Sequence, residues 1–339
     1  MPGSLSFARL KAASVAVKAA VFLIAAALSA PVSAPARANQ QDFASWLSDF
    51  KRDALAAGIS QPTLDEALDN VQPIPRVIEL DRKQPEFVLT FREYLARQVT
   101  DARVEKAKRL YEQHRALLEE IGRKYAVPPR FILALWGMET DFGRVTGGFS
   151  VVAALATLAY DGRRAEFFRK ELLNALRIID QGHIRAADMT GSWAGAMGQN
   201  QFMPSSFLSY AVDYDGDGRR DIWTTLPDVF ASIANYLSKS GWNASQGWGR
   251  AARLPHGFDM AQADLAVKKP LGEWTALGVR QADGSPMPDA QLEASIVRPA
   301  GGEDAFFAYD NYRVIMKWNR ALVFATAVGI LADRIGGVN

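Results

Sequence analysis

The sequence of 339 residues contains no cysteine and only three histidines, and both shortages exclude kinds of site. Without cysteine there is no disulfide, no thiolate metal site and no lipid-modified N-terminal cysteine. The histidines are His114, His183 and His256, and their wide spacing argues against a histidine zinc site. The formal net charge is only +2, and no basic run alternates with aromatic residues, so we do not expect nucleic acid as a partner.

Long hydrophobic runs are also scarce. The longest near the N-terminus covers residues 19–30, which is too short for a confident membrane span and follows the basic residues Arg9, Lys11 and Lys18. Cleavage after Ala38 would fit the small-x-small pattern of a secretory signal, so residues 1–38 are predicted to be a signal peptide. An uncleaved anchor is the alternative. In both cases the folded part is expected outside the cytoplasm.

Helical periodicity dominates the rest of the chain. It predicts two short helices within residues 41–70, an extended connection over 71–88, and further helices at 87–99, 102–125, 128–143, 150–160, 164–181, 204–211, 227–240 and 312–335. Residues 247–308 differ, because Pro and Gly are scattered there, a helical patch lies near 260–266, and short alternating runs at 275–279 and 292–297 indicate strands. The predicted fold class is mainly α (α+β), with a small β insert.

The helix predicted over residues 128–143 carries a carboxyl on an apolar face. Pro128 and Pro129 suit its start and Gly143 its end, while Glu139 follows Leu135 and Trp136 by about one turn. A carboxyl held against apolar groups keeps its proton to higher pH, as a general acid near neutral pH must. The alternative is a core helix whose glutamate is paired or reaches out to solvent.

A second stretch, GSWAGAMGQNQFMPSSF, covers residues 191–207 and combines glycine, amide and aromatic groups. Its glycines would allow the close approach of a chain-like substrate. Its hydroxyl and amide groups suit sugar hydroxyls and N-acetyl groups, and its apolar side chains suit sugar rings. A structural Gly-rich turn with Met and Phe in the core is the equal alternative. The polar candidates are Ser192, Gln199, Asn200 and Gln201.

The segment DYDGDGRRDIW, residues 213–223, matches the first half of an EF-hand-type calcium loop. Asp213, Asp215 and Asp217 would supply oxygen ligands, and their mutual repulsion favours a bound cation. Thr224 stands where such a loop has its bidentate glutamate, and Asp228 could close the site instead. Asp228 is also explained as part of a capping box with Thr225 at the start of the next helix, and the two roles are compatible.

Taken together, these blocks resemble the lytic murein transglycosylase B family, lysozyme-like enzymes that cleave peptidoglycan glycan strands. The resemblance rests on WGMETDFG (136–143), the 191–207 and 213–223 stretches, ANYL (234–237) and NYRVIMKWN (311–319). It implies a lysozyme-like helical core with an extra helical part. On this basis residues 39–125 would form the N-terminal helical part, 126–246 the catalytic core with its EF-hand-like loop, 247–308 the β-containing insert, and 309–339 a C-terminal helix returning to the core.

The resemblance also implies the roles of individual residues. Glu139 would be the single catalytic acid and base. Ser192, Gln201, Tyr94, Tyr236 and Asn319 would bind the sugar chain. A structural calcium ion would be held by Asp213, Asp215, Asp217, the Arg219 carbonyl and Asp228, with no organic cofactor. The C-terminal block departs from the family pattern, because Trp318 and Phe324 stand where the family has tyrosines and Ala321 stands where it has a serine, so the resemblance implies no catalytic role for this block.

The implied reaction cleaves the bond between N-acetylmuramic acid and N-acetylglucosamine without water and leaves 1,6-anhydro ends. Asp141 lies two residues from Glu139, so on a helix it points to nearly the opposite side and cannot be a second catalytic carboxylate. A hydrolase that uses Glu139, or a non-catalytic glycan-binding scaffold, are the competing hypotheses. We expect a periplasmic monomer that acts on peptidoglycan, with cell-wall synthesis or remodelling proteins as candidate partners.

Overall fold

The computed structural model describes residues 42–83, 89–287 and 291–338 of the chain. The predicted signal peptide and Phe87, which was placed in the helix over 87–99, lie outside these residues. Within them the fold is mainly helical, as predicted. The helices are α1 Phe43–Ala56, α2 Gln61–Leu68, α3 Pro75–Arg82, α4 Phe91–Gln98, α5 Asp101–Gln113, α6 Arg115–Tyr125, α7 Pro129–Thr140, α8 Val151–Asp161, α9 Ala165–Asp180, α10 Pro204–Tyr210, α11 Leu226–Lys239, α12 Leu271–Ala276, α13 Asp310–Trp318 and α14 Leu322–Gly336.

Two predicted helices are each divided into two. His114 ends α5 and precedes α6 with a φ of −115°, so the segment predicted as one helix over 102–125 changes direction there. The break lets α5 pack on α7 and α14 while α6 packs on α11. Likewise, α13 and α14 bend by 115° between Trp318 and Leu322. The periodicity of the sequence continues through both breaks and does not reveal them.

Two other local predictions were wrong. Residues 71–88 were expected to be extended, yet α3 lies within them and begins at Pro75, whose ring fixes a helical φ and whose missing N–H needs no partner at that position. The alternating run 275–279 was expected to be a strand, but its first two residues are the last two residues of helix α12. There Trp274 is fully buried and its indole donates to the carbonyl of Ala294 (2.9 Å), which holds the helix against the sheet.

The β part is a five-stranded sheet that lies late in the chain, together with one two-residue pairing near the centre. The sheet has the order β4-β6-β7-β3-β5, and its described pairs are antiparallel. The strand predicted at 292–297 is confirmed as β6. The strands are β1 Phe149–Ser150, β2 Thr190–Gly191, β3 Gly249–Arg253, β4 Lys269–Pro270, β5 Arg280–Gln281, β6 Glu293–Val297 and β7 Ala305–Ala308.

The described residues form three apolar clusters. One joins α4–α7 with α11, α13 and α14, the second joins α1–α3 with α8 and α9, and the third lies under the sheet. Trp318 contacts both of the first two clusters, so it stands at their junction. No single described helix is long and apolar enough to cross a membrane; α13 and α14 pass that test only as a bent pair.

Candidate active site

Helix α7 carries Glu139 at the boundary of the core. Its residues from Phe131 to Gly137 are buried, and Pro128 precedes it as predicted. The helix ends earlier than expected, because Asp141 rather than Gly143 is the first residue with left-handed backbone. Asp141, Phe142 and Gly143 have φ values of 49°, 60° and 76° in succession. This turn folds the Phe142 ring back against Trp136, with 5.4 Å between their centroids.

Glu139 is half-buried, and an indole donates a hydrogen bond to it. The Nε1–H of Trp318 lies 2.8 Å from Glu139 Oε1. Burial raises the pKa of Glu139 to about 7, because the charged form loses solvation, while the bond from Trp318 lowers the pKa against that effect. The carboxyl is therefore partly protonated at neutral pH, as the sequence-based hypothesis of a general acid requires.

Trp318 is itself held by the helices around it. Its ring lies 4.7 Å from that of Tyr236 on α11 and 5.1 Å from that of Phe202. The hydroxyl of Tyr236 donates to the carbonyl of Lys317 (2.6 Å), and the Lys317 ammonium donates to the carbonyl of Ser240 (2.7 Å). Since these bonds join the ends of α11 and α13, the indole has a defined position against Glu139.

Two other predicted site residues lie close to this pair in space or in sequence. Tyr94 on α4 is half-buried, and its pKa is raised by burial and by the charge of Glu139, which places its phenol in the electrostatic range of the carboxyl. Asn319 directly follows Trp318, and its side-chain oxygen accepts from the N–H of Ala321 (3.0 Å). Part of Asn319 is thus used to start α14.

Asp141 is not available as a second catalytic carboxylate. Its oxygens lie 2.5 Å from Arg144 Nε, 3.6 Å from Lys106 Nζ and 4.0 Å from Arg103 Nε. Lys106 also donates to the Asp141 carbonyl (3.0 Å). Asp141 is the left-handed residue just beyond α7, so it is these three ion pairs, and not a position on the helix, that occupy its carboxylate.

The Gly-rich stretch is mostly buried structure. Gly195 and Gly198 approach protein atoms rather than leaving room for a substrate, because an added Cβ would lie 2.4 Å from Leu155 and 2.6 Å from the Ile222 carbonyl. Gln199 and Asn200, which were considered for sugar binding, are buried and bonded within the protein. The alternative of a structural turn is therefore the better description for these four residues.

Ser192 and Gln201, which were predicted to bind sugar, also form hydrogen bonds within the protein. Ser192 is buried, and its hydroxyl oxygen accepts from the N–H of Ala196 (3.0 Å). Gln201 has a φ of 50°, and its amide nitrogen donates to the carbonyls of Thr146 (2.9 Å) and Gly198 (3.0 Å). These bonds do not use the Ser192 hydroxyl proton or the Gln201 amide oxygen.

The aspartate loop brings three carboxylates together. Oxygens of Asp213, Asp215 and Asp217 all lie within 4.8 Å of one another. Asp213 accepts from the N–H groups of Gly216 (2.7 Å) and Gly218 (2.9 Å), which fixes the turn. Closely spaced oxygen donors suit a hard divalent cation, so the residues fit calcium. The side chain of Arg219 pairs with Asp217 (2.9 Å), so only its carbonyl is a candidate ligand.

Asp228 lies buried at the start of α11 and bonds to two backbone groups of the aspartate loop. Its oxygens accept from the N–H groups of Tyr214 and Asp221, each at 2.7 Å, and burial raises its pKa to about 6. The predicted capping box was wrong, because the Thr225 side chain makes no cap bond. Asp228 lies outside the group of three neighbouring carboxylates.

Sequence reasoning missed two residues of the site. Trp318 was noted only as a departure from the family pattern, and a donor to Glu139 could not be inferred from a residue 179 positions away. Gln199 was considered for sugar binding, with a structural turn as the equal alternative, and the structure shows that it accepts from the indole of Trp136 (2.8 Å). A buried Trp next to a buried Gln is the available signal, because each must find a polar partner.

Comparison with known proteins places these features in a family. A family model described as "Transglycosylase SLT domain" matches residues 42–333. Membrane-bound lytic murein transglycosylase B of Escherichia coli (strain K12) is 32% identical over 257 residues, which is 71% of this chain and only 66% of that protein.

Solved structures are similar as well. SltB3 from Pseudomonas aeruginosa, in complex with NAG-anhNAM-pentapeptide, has a TM-score of 0.85 and 45% identity, covering 88% of this chain and 80% of that one. The Escherichia coli lytic transglycosylase SLT35 in complex with calcium has a TM-score of 0.74 and 29% identity, covering 86% and 92%. The predicted lysozyme-like mainly α (α+β) fold is confirmed by these similarities.

The burial of Glu139 predicts a pH-dependent stability. Its pKa is about 7 in the folded protein, against an ordinary value of 4.5, so the folded state holds a proton that the unfolded state releases between these values. Stability should fall as pH rises through that window and then level off. Glu139→Gln, which carries no charge, should exceed the wild type in free energy of unfolding by on the order of 2–3 kcal/mol at about pH 8, and by much less at about pH 4.5.

Urea denaturation of both proteins across this pH range measures the difference. Glu303→Gln makes the same chemical change at an exposed position and should show no such pH-dependent gap. A constant difference between Glu139→Gln and the wild type at all pH values would contradict the raised pKa.

Proposed function

The chain belongs to the Transglycosylase SLT domain family, and on this premise we propose that it is a lytic transglycosylase of peptidoglycan. It would cleave the β-1,4 bond between N-acetylmuramic acid and N-acetylglucosamine and leave 1,6-anhydro ends. The observation that carries this proposal is Glu139, a half-buried carboxyl with a pKa of about 7 and one indole donor. The anhydro sugar named in the SltB3 complex supports the same product class.

Protonated Glu139 would start the reaction as the general acid. Its proton passes to the glycosidic oxygen as the bond to the sugar breaks, so the leaving group departs as an alcohol. Trp318 has a donor and no acceptor, so it cannot take this proton away. Instead its N–H holds one carboxyl oxygen and stabilises the carboxylate that remains.

The same carboxylate would complete the reaction. Ordinary glycosidases use two carboxylates, but Asp141 is committed to three cations and gives Glu139 no partner. The acetamido oxygen of the muramic sugar would therefore assist the departure. The 6-hydroxyl of the same muramic sugar would then attack the anomeric carbon and give its proton to Glu139. One bond to oxygen replaces another, no water is consumed, and Glu139 is protonated again.

The remaining residues would bind and position the strand. Ser192 would contact the sugar through its hydroxyl proton, and Gln201 through its amide oxygen, because neither group is used in their internal hydrogen bonds. Tyr94 would line the groove beside Glu139, where its raised pKa keeps the phenol neutral. Asn319 would line it through its amide nitrogen. For Tyr236 we revise the role from sugar contact to positioning, because the ring is buried against Trp318 and its hydroxyl donates to Lys317.

The aspartate loop would hold a structural calcium ion. Asp213, Asp215, Asp217 and the Arg219 carbonyl would be ligands, and Asp228 would act as a further ligand or brace the loop through its two backbone bonds. The solved calcium complex of SLT35 supports the choice of ion. A bound cation would cancel the repulsion among the aspartates and leave the catalytic proton transfers to Glu139.

The enzyme would work where peptidoglycan lies, in the periplasm. The signal-like residues 1–38 and the lytic transglycosylase relatives support this location. Peptidoglycan strands would be its main partner, and we propose that it acts as a monomer beside cell-wall synthesis or remodelling proteins.

Digestion of purified peptidoglycan tests the proposed reaction. The protein should release muropeptides with 1,6-anhydro ends, whose mass is lower by one water than that of hydrolysis products. Glu139→Gln should lose at least about a thousandfold in rate, because an amide can neither donate nor accept the catalytic proton. Mass spectrometry of the released fragments measures both results.

Glu171→Gln is unsuitable as a control because Glu171 is buried and bonded to Ser205, whereas the exposed Glu303→Gln should keep full activity. Fragments heavier by one water would instead identify a hydrolase. Binding of strands without release by either protein would identify a non-catalytic scaffold.

Calcium should stabilise the folded protein through the aspartate loop. Removing one charge and one ligand with Asp215→Asn should weaken binding, so the rise in melting temperature between chelator and excess calcium should shrink strongly. Asp69→Asn, at an exposed aspartate paired with Lys51, should keep the full rise. Equal melting temperatures of the wild type in calcium and in chelator would count against the ion.

A further inference from the structure

One buried side chain connects the aspartate loop to the catalytic helix. Gln199 is 9% exposed and lies between Ile222 and Trp223, at the end of the loop over residues 213–223, and the last turn of α7. The loop lies on one side of Gln199 and helix α7 lies on the other. Its backbone and its amide group both form hydrogen bonds toward the loop and toward α7.

On the loop side, Gln199 donates twice. Its backbone N–H donates to the carbonyl of Ile222 (2.8 Å), and its amide nitrogen donates to the carbonyl of Trp223 (2.9 Å). These two residues directly follow Asp221, whose N–H is held by Asp228. A displacement of Ile222 and Trp223 would therefore displace Gln199 through these two hydrogen bonds.

On the helix side, Gln199 accepts twice. The indole of Trp136 donates to its amide oxygen (2.8 Å), and the hydroxyl of Thr140 donates to its carbonyl (3.0 Å). Thr140 is adjacent to Glu139, and Trp136 lies one turn before it. Thr140 also accepts from the N–H of Gly143 (3.0 Å), so the same hydroxyl fixes the turn that ends α7.

The packing leaves Gln199 little freedom. A Cβ at Gly143 would lie 2.3 Å from its amide oxygen, and a Cβ at Gly198 would lie 2.6 Å from the Ile222 carbonyl. Because interiors are close-packed, a displacement on one side cannot be absorbed by empty space around the amide. The contacts form one continuous path from the loop to the residue next to Glu139.

We propose that Gln199 is a positioning residue that couples the aspartate loop to the end of α7, so that a divalent cation on the loop changes the environment of Glu139. The catalytic significance of this coupling rests on the proposed function, which makes Glu139 the acid and base. The coupling itself is a property of the folded chain that can be measured without turnover. Cation binding would order the loop, and the two donated bonds would transmit that order to Trp136 and Thr140.

A titration of the ¹⁵N-labelled, chelator-treated protein with calcium chloride alone tests the coupling. The amides of Gly216 and Gly218 report the loop, and the indole N–H of Trp136, identified by its loss in Trp136→Phe, reports α7. In the wild type all three signals should shift along one binding curve. In Gln199→Glu, measured above the pH at which the new carboxyl ionises, the loop amides should still shift but the indole should not, because a carboxylate accepts from Trp136 yet cannot donate to Trp223.

Trp136→Phe cuts the path on its other side and keeps the test usable if Gln199→Glu does not fold. There the bond from Thr140 to the Gln199 carbonyl remains, so the Thr140 amide should respond more weakly than in the wild type while Gly216 and Gly218 keep their full response. Gln181→Glu, the same change at an exposed position, should behave as the wild type. An unmoved indole in the wild type, an equal indole shift in Gln199→Glu, or a loop that does not respond to calcium would each overturn the proposal.

Kinetics separate positioning from general destabilisation. With the cation bound, Gln199→Glu should lower kcat by about tenfold with little change in KM, since a small displacement of the acid affects the reaction step more than strand binding. A change confined to KM would overturn the positioning role. Failure of the wild type to release anhydro products would refute the proposed function and leave the calcium titration as an independent result.

Discussion

The site depends on the cost of removing one carboxylate from water. Glu139 lies at the end of an apolar helix, where burial raises its pKa to about 7 and a single indole bond limits the rise. More burial without the indole would leave the carboxyl too weak an acid to donate. More donors would ionise it permanently. The fold sets a balance between these effects, and a single carboxyl can then serve as both acid and base.

Much of the surrounding structure maintains that balance. Tyr236 and Phe202 hold the indole of Trp318, and Lys317 ties the end of α13 to α11. On the other side, Gln199 connects the end of α7 to Trp223 at the end of the aspartate loop. Trp318, which contacts two apolar clusters, thus bonds to Glu139, and Gln199 bonds to Thr140, the residue after Glu139.

The sequence was most informative where chemistry is local. The apolar residues of α7 and the spacing of Asp213, Asp215 and Asp217 are properties of short segments, and the structure shows a buried helix and three neighbouring carboxylates there. The mainly helical class followed from periodicity. Breaks at His114 and after Trp318 could not be predicted, because the apolar pattern continues through them and only tertiary packing decides the change of direction.

Long-range pairing explains the remaining errors. Amide and hydroxyl groups in a Gly-rich stretch look alike whether they bind a sugar or the protein, and only the fold shows that Gln199 and Asn200 are buried. Asp228 was assigned partly to a helix cap because its neighbour Thr225 fits the motif, but its oxygens accept from Tyr214 and Asp221 instead. From the sequence, Trp318 was noted only for its difference from the family pattern, whereas the structure shows its indole donating to Glu139.

Direct titration of the Glu139 carboxyl carbon by ¹³C NMR, with the signal assigned by its loss in Glu139→Gln, tests the central claim. The wild type should titrate at a pH of about 7, and Trp318→Phe should titrate higher, because the bond that lowers the pKa is gone. Trp46→Phe, the same change on α1, should leave the value in place. A wild-type value near 4.5, or no rise in Trp318→Phe, would contradict the account.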